Sequence, residues 1–329
     1  MSHSSKRVIY AAAIANFMIA VFKFVGAALT GSSAMFSEGV HSLVDTGNQG
    51  LLLLGLKKSN KPPDKKHPFG YGREMYFWSF VVAIAIFGLG AGVALWEGAH
   101  KILEPTPLSA DTFSVFGFDV GFQYIVLAIL FGAMLVEGRS WWIAYQEFKQ
   151  DAGDNGFIQS IRDAKDPVVA VVLVEDTAAV IGLLIAFVGI SCAYYFHNPL
   201  IDAYATVGIG FVLAVVSVFL AAECKSLLIG EAASQDVIDG VDAIATQFSS
   251  VEFTNEIITY HVGPQDIVVC MSLDFGAVSA DEVEATVSAI EEQAKAEFED
   301  ISRIFIEAQR HSSHAADAKA EALEFSQRM

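Results

Sequence analysis

Six long apolar runs dominate the hydrophobic pattern of the first 230 residues of the chain. Each run is about 20 residues long with few charges, which is the length that crosses the roughly 30 Å hydrocarbon core of a bilayer. The pattern predicts a polytopic α-helical membrane protein with a transmembrane domain at residues 1–230. Its six predicted spans are Val8–Leu29, Ala34–Leu56, Tyr76–Trp96, Phe122–Trp142, Val168–Phe196 and Asp202–Ala222.

After residue 230 the pattern changes to that of a soluble domain. Ser234 precedes a helical pattern that ends at Gln247, and two β-branched segments follow, VEFTNEIITYHV and DIVVCMSLDF. The stretch SADEVEATVSAIEEQAKAEF has the Ser cap and acidic first turn of a helix, and ISRIFIEAQ is typical of a strand. We predict an αββαβ domain at residues 231–310 and a loose or helical tail at 311–329.

Composition supports a membrane protein, because 53% of the 329 residues are hydrophobic, more than in an ordinary soluble domain. The net charge is −18, and the acidic excess lies in residues 231–329, which contain 20 acidic and 5 basic residues. Such acidity argues against nucleic acid as a partner. The three cysteines are far apart and predict neither a disulfide framework nor a thiolate metal site.

Basic residues mark one side of the predicted membrane domain. The loop after the second span, KKSNKPPDKKHPFGYGR, is rich in Lys and Arg, whereas the loops on the opposite side carry little beyond Lys101. Because positive residues favour the cytoplasmic side, we predict that both termini and the acidic domain are cytoplasmic. The start of the chain does not read as a mitochondrial transit peptide, which favours the inner (plasma) membrane of a bacterium.

The second predicted span contains polar residues where hydrocarbon contacts are expected. Glu38, His41 and Asp45 are spaced by three and four residues, so they lie on one helical face. A carboxylate at the bilayer centre costs roughly 2.5–3.5 kcal/mol, a cost that is typical of groups handling an ion or a proton. Imidazole and carboxylate one turn apart also suit a divalent metal. Hydrogen bonding to another helix is the alternative, and Glu38 can instead be solvated near an interface.

The fifth predicted span adds two adjacent carboxyl groups, Glu175 and Asp176, within VVLVEDTAAV. Adjacent helical residues point about 100° apart, so an undistorted helix does not aim both at one ion. We predict that Asp176 binds a metal together with His41 and Asp45. Glu175 is then an alternate ligand, a proton carrier or a hydrogen-bonding neighbour of the ligands.

Together these motifs resemble the cation diffusion facilitators, the solute carrier 30 family of zinc and other divalent-metal/proton antiporters. The branch with the animal mitochondrial zinc exporter is the most similar. The resemblance rests on FKFVGAALTGSSAMFSEGVHSLVDTGNQ, HPFGYGREMYFWS and DAKDPVVAVVLVEDTAAVIGLLIA, and it covers most of residues 6–310. It implies a homodimer whose transport site takes two ligands from the second span and two from the fifth. His41 and Asp45 match the first pair, and Asp176 matches the acidic member of the second.

The chain departs from the family pattern at Val172, where the remaining ligand of the second pair is usually His. Glu175, a water, Asn48 or Gln49 is left as the fourth donor. Losing one imidazole makes the site richer in oxygen, which weakens a preference for Zn²⁺ over Mn²⁺, Fe²⁺ or Co²⁺.

Some family members also bind metal in the loop before the third span. Asp64 and His67 match that site, but Tyr71 stands where a later His is expected. A solvated loop without metal is therefore the alternative to a second metal site.

The sequence predicts a secondary transporter rather than an enzyme, namely a divalent metal/proton antiporter that exports Zn²⁺ from the cytoplasm by alternating access. Its partners are the metal ion as substrate, protons, membrane lipid and a second copy of the chain, and no cofactor is expected. Two alternatives stay open. One is an exporter of Mn²⁺, Fe²⁺ or Co²⁺ with the same fold, and the other is a non-transporting membrane scaffold or regulatory subunit.

Overall fold

The computed structural model describes residues 3–30, 33–105, 112–115, 118–151 and 167–328. These residues form two compact units. The first unit comprises Met1–Lys61 and Glu74–Lys225, and the second comprises Pro62–Arg73 and Ser226–Met329. The first unit is mainly helical, and the second contains a three-stranded sheet with helices.

Long helices build the first unit. In chain order they are α1 (His3–Thr30), α2 (Ser33–Ser59), α3 (Glu74–Ala85), a π-helical segment (Ile86–Ala91), α4 (Gly92–Leu103), α5 (Phe122–Asp151), α6 (Pro167–Tyr195) and α7 (Pro199–Ile229). Four of the described segments are long and apolar enough to cross a membrane, at Glu74–Leu103, Gln123–Lys149, Val168–Tyr195 and Pro199–Ile229. These four correspond to the third to sixth predicted spans. Helices α1 and α2 occupy the positions of the first two, whose membrane crossing stays a prediction.

Helix α6 is the most buried of the four spanning segments. Within its most apolar window 67% of the residues are buried, against 22% to 33% in the other three. Every residue from Val168 to Val174 is buried, and they pack with Leu52 of α2 and Val82 of α3. A helix that is apolar on all sides is stable only when other elements surround it. This position places Glu175 and Asp176 in the interior of the unit.

Two glycines let α4 and α7 approach closely. A Cβ atom at Gly98 would lie 2.7 Å from the side chain of Val207, and one at Gly210 would lie 2.7 Å from Leu95. Small residues at such crossings allow the dispersion contacts that hold membrane helices together.

A β-hairpin connects the third and fourth predicted spans, and the sequence pattern did not indicate it. Strands β1 (Thr112–Val115) and β2 (Phe118–Gly121) pair in antiparallel fashion directly before α5. Each strand is only four residues long, which is too short to give a convincing alternation of polar and apolar residues.

The second unit has the predicted order of helix, strand, strand, helix and strand. The elements are α8 (Gln235–Thr246), β3 (Val251–Gly263), β4 (Asp266–Phe275), α9 (Ala280–Glu297) and β5 (Ile301–Ala308). Strand β4 is central, antiparallel to β3 and parallel to β5. Its buried residues Val269 and Leu273 pack with Ile244 of α8 and Ile290 of α9. The tail forms a helix, α10 (His311–Arg328).

The loop Pro62–Arg73 between α2 and α3 packs against the sheet of the second unit. The rings of Phe69 and Phe305 meet edge to face, with 6.4 Å between their centroids. Arg303 lies over the Phe69 ring at 5.5 Å and donates a hydrogen bond to the carbonyl oxygen of Pro68 at 3.3 Å. The loop therefore belongs structurally to the second unit, although it joins two helices of the first.

Candidate metal site

Acidic side chains from α2 and α6 come together in the interior of the first unit. Asp176 is 1% exposed and Glu175 is 7% exposed. Asp45 of α2 lies close enough for its charge to act on both carboxyl groups. The structure therefore brings together three of the four predicted principal ligands, from the two spans that the sequence pattern selected.

Asp176 is held by a hydrogen bond from α5. The Ser140 hydroxyl donates to Oδ2 of Asp176 at 2.7 Å, and both side chains are buried. At the same level the Trp141 indole donates to the Thr177 hydroxyl at 2.8 Å. Such bonds fix the direction in which a ligating carboxylate points, as outer hydrogen bonds do at metal sites generally.

Glu175 is held by α2 through two amide groups. Asn48 Nδ2 donates to Oε1 of Glu175 at 3.2 Å, and Gln49 Nε2 donates to Oε2 at 3.3 Å. Both amide side chains are fully or almost fully buried. Oε1 of Gln49 is buried with no hydrogen-bond donor among the described residues, so this atom is a further oxygen available to a cation.

The side chains of Glu38 and His41 lie outside the described part of the structure. Their backbone belongs to the continuous helix α2, so the predicted face shared with Asp45 is compatible with the structure. Among the side chains that are described, no group of three His, Cys, Asp or Glu residues is placed to hold a metal ion. Asp45, Glu175 and Asp176 therefore do not form a ready-made metal site in this arrangement, and the part of His41 stays a prediction.

A cavity of about 190 Å³ is lined by Asp45 and by three charged residues that the sequence pattern did not assign to the site, Lys23, Glu97 and Glu137. Glu137 of α5 and Lys23 of α1 line it together with Ser42, and both are 4% exposed. Lys23 Nζ donates to the Ser42 hydroxyl at 3.0 Å. A glutamate midway along an apolar span is the same signal that identified Asp176. Glu137 lies inside the fourth predicted span, but no His or acidic residue stands three or four positions from it to form a recognisable pair.

In the predicted loop site, Asp64 accepts hydrogen bonds from residues of its own loop. The Tyr71 hydroxyl donates to Oδ2 of Asp64 at 2.8 Å, and the backbone N–H groups of Lys66 and His67 donate to Oδ1 at 2.8 and 2.7 Å. The Tyr71 hydrogen bond, followed by the one from His67, lowers the pKa of Asp64 below its usual value. His67 Nδ1 lies 3.7 Å from Asp64 Oδ1, so the pair is adjacent. These contacts give Asp64 a role in shaping the loop, and metal binding there stays a prediction.

Comparisons with known proteins agree with the family that the sequence motifs resemble. Residues 9–229 match the cation efflux transmembrane domain. The mitochondrial proton-coupled zinc antiporter SLC30A9 of Mus musculus is 32% identical over 271 residues, which are 82% of this chain and 46% of that protein. Metal tolerance protein C4 of Arabidopsis thaliana is 30% identical over 82% of this chain and 57% of its own length.

The manganese efflux system protein MneP of Bacillus subtilis is 23% identical over 92% of this chain and 95% of its own length. The chain spans about half the length of the zinc antiporters that it matches. The matched domain covers more than half of the chain, and it includes both helices that carry the acidic residues. The chain therefore belongs to the cation efflux family, the cation diffusion facilitators that its motifs resemble.

Proposed function

We propose that this chain is a proton-coupled antiporter that exports a divalent metal ion, with Zn²⁺ as its principal substrate. The burial of Asp176 and Glu175 beside Asp45, among apolar helices, carries this proposal. Each charged carboxylate at bilayer depth costs roughly 2.5–3.5 kcal/mol, which a chain with no use for the charge would avoid. Similarity to proteins named as proton-coupled zinc antiporters supports the substrate and the coupling.

In this proposal His41, Asp45 and Asp176 bind the ion. The two carboxylates neutralise both charges of the cation, which makes its transfer to a low-dielectric interior possible. The imidazole supplies the nitrogen donor that Zn²⁺ favours. Glu175, or Oε1 of Gln49, supplies the fourth donor from the hydrogen-bonded group beside the site.

Protons and the metal ion compete for the same atoms, because each of these side chains binds a metal only when it is deprotonated. Rocking of the helices exposes the site alternately to the two sides of the membrane. On the outer side, protons displace the ion from His41 and the carboxylates. A proton gradient directed inward then drives export.

We further propose six spans in a homodimer, with both termini and the second unit in the cytoplasm of a bacterial cell. Helices α1 and α2 contain 28 and 27 residues and so are roughly 40 Å long, enough for a bilayer core. Phe253 and Ile258 on the sheet of the second unit are about half exposed, which supports a second copy covering them. Similarity to MneP, an efflux protein of Bacillus subtilis, over 95% of its length supports a bacterial source.

Metal flux into liposomes tests the proposed site. The purified chain is reconstituted with a zinc-responsive dye inside, and a pH gradient is applied. We expect Asp45→Asn and Asp176→Asn each to reduce Zn²⁺ flux to that of empty liposomes, because the amide keeps the side-chain volume but removes a neutralising charge. Asp236→Asn, at an exposed position in α8, is the matched control and should keep wild-type flux.

The fluxes of the variants and of the wild-type chain test different parts of the proposal. Wild-type rates in either Asn variant at the site would refute this ligand assignment. A folded wild-type chain that transports neither Zn²⁺ nor Mn²⁺ would refute the transport proposal and favour a scaffold or regulatory subunit.

A manganese exporter is the second candidate function, and the oxygen-rich donor set around Asp176 favours it. Carboxylate and amide oxygens suit Mn²⁺ better than Zn²⁺, and Val172 provides no imidazole. The same liposomes decide between the two when Mn²⁺ is added in competition with Zn²⁺. Equal inhibition at equal concentration would contradict zinc as the principal substrate.

A further inference from the structure

The cavity beside Asp45 lies within one half of the membrane unit. Lys23 lies near the end of α1, Ser42 near the start of α2, Glu97 in α4, Ala186 in the second half of α6 and Ile209 in the first half of α7. Because consecutive spanning helices run in opposite directions, all of these positions lie at the same end of the bundle, away from the chain termini. The cavity thus leads from the level of Asp45 toward that end, which is the outer end in the proposed topology.

Glu137 has a feature that the transport site does not explain. Its side chain is 4% exposed, it lines this cavity, and its Oε2 has no hydrogen-bond donor among the described residues. A buried carboxyl oxygen without a donor carries a free-energy cost, which a bound cation would remove. The charges of Asp176, Asp45 and Lys23 all act on this carboxyl group.

We propose that Glu137 and Asp45 form a second divalent-cation subsite in the cavity, on the exit side of the transport site. The ammonium group of Lys23 neutralises this subsite when no metal ion is present. The proposal rests on the proposed transport function. It adds a metal-contacting residue from α5 to the ligands of α2 and α6.

The size of the cavity and its charges are consistent with a hydrated ion. About 190 Å³ has room for several water molecules, which can fill the coordination positions that two carboxylates leave open. This agrees with the absence of a ready-made group of three ligands among the described residues. Two carboxylates with water hold Zn²⁺ less tightly than a set that includes an imidazole, so the subsite favours onward release.

Lys23 provides the counter-charge of this subsite. Its Nζ bonds the hydroxyl of Ser42, one turn before Asp45 in α2, and the side chain is buried in the cavity wall. In a medium of low dielectric constant an ammonium group stabilises nearby carboxylates and opposes an incoming divalent cation. Lys23 therefore lowers the affinity of the subsite and promotes departure of the ion.

The test compares Glu137→Gln with Glu147→Gln, a second glutamate of α5 that does not line the cavity. Zn²⁺ binding is measured by equilibrium dialysis of the full-length chain, and Zn²⁺ flux in liposomes under a pH gradient. For Glu137→Gln we expect flux to fall roughly tenfold while high-affinity Zn²⁺ binding stays within about threefold of wild type, because His41, Asp45 and Asp176 are intact. Glu147→Gln should keep both properties.

Lys23→Met should change binding in the opposite direction. Without the competing ammonium group we expect the affinity for Zn²⁺ in the cavity to rise roughly tenfold and release to slow by a similar factor. An affinity equal to that of wild type would overturn the role of Lys23.

Wild-type flux in Glu137→Gln would overturn the subsite. Loss of high-affinity binding together with flux would overturn it too, because Glu137 would then belong to the transport site itself. If Glu137→Gln does not fold, Glu137→Asp keeps the charge with a shorter reach, and it should reduce flux while binding is unchanged; full flux would contradict the proposal. A wild-type chain without flux would refute the proposed function instead.

Discussion

In the proposed site, the donors nearest to Asp176 would determine which metal ion is preferred. Val172 lies four residues earlier on the same face of α6 and is fully buried, so this position contributes no ligand. The neighbouring donors are oxygen atoms of Asp45, Glu175 and Gln49. Nitrogen donors favour Zn²⁺, whereas oxygen donors are shared by Mn²⁺ and other hard cations. Metal preference should therefore respond to one additional imidazole.

Val172→His should shift the ratio of Zn²⁺ flux to Mn²⁺ flux toward Zn²⁺ by roughly tenfold, because it adds an imidazole one turn from Asp176. Val171→His is the matched control, since Val171 is equally buried but points about 100° away from that face. Both fluxes are measured in the same liposome preparation. An unchanged ratio, or the same shift in the control, would contradict the assignment of this face of α6 to the site.

At the level of residues, sequence patterns identify charged side chains in a span but not their partners. Asp176 stands out because it lies among valines, and its place in the interior follows from that setting. Its bond to Ser140 could not be predicted, because it depends on how α5 and α6 are rotated and staggered against each other. Glu137 was missed because it has no His or acidic residue three or four positions away, the spacing that singled out His41 and Asp45.

At the level of elements, the loop Pro62–Arg73 connects the helix that carries Asp45 to the sheet of the second unit. Its position depends on backbone contact as well as on the ring of Phe69. A Cβ atom at Gly72 would lie 2.5 Å from the carbonyl oxygen of Val262 and 2.7 Å from Cα of Gly263. Neither backbone atom can rotate away as a side chain would, so only glycine fits between them.

Gly72→Ala should therefore loosen the packing of the loop on the sheet. We expect amide hydrogen exchange in residues 62–73 to become roughly tenfold faster, because the added methyl group forces the two backbones apart. Lys65→Ala, at an exposed position in the same loop, should leave the exchange rates unchanged. Equal protection in the wild type and Gly72→Ala would show that the close approach does not hold the loop.

Regular elements could be predicted from local periodicity, and irregular ones could not. The helices and strands of the second unit follow the expected order because local signals mark them, such as the cap of α9, where Glu282 N–H donates to Ser279 Oγ. The hairpin of β1 and β2 is too short for such a signal. The π-helical segment Ile86–Ala91 lies within a continuous apolar run, and the hydrophobic pattern of that run does not indicate a π-helix. The packing of the loop on β5 depends on contacts between residues more than 230 positions apart.

At the level of the whole membrane unit, two parts of α6 have different surroundings. The residues Val168 to Val174 are buried in close-packed apolar contacts, whereas five later residues line the cavity, Ala178, Ala179, Gly182, Leu183 and Ala186. Within the described residues, the first part of α6 is thus tightly packed and the later part borders a cavity. In the proposed alternating-access cycle, this asymmetry would correspond to a state that is open toward the exit side.

Cysteine labelling tests the side from which the cavity can be reached. In a variant that lacks Cys192, Cys224 and Cys270 and retains flux, Ala186→Cys should react with a membrane-impermeant thiol reagent added on the side opposite to the termini. Val169→Cys is the matched control on the same helix. It should stay unreactive from that side, because residue 169 is 6% exposed within the packed first part. Zn²⁺ should slow the labelling of Ala186→Cys by about threefold, since an occupied cavity admits the reagent less often.

Labelling of Ala186→Cys only from the side of the termini would invert the proposed direction of the exit path. The ion would then have to leave between α2 and the segment Val168–Val174 of α6. The side chains of this segment are apolar and closely packed, so they offer no polar group to receive an ion.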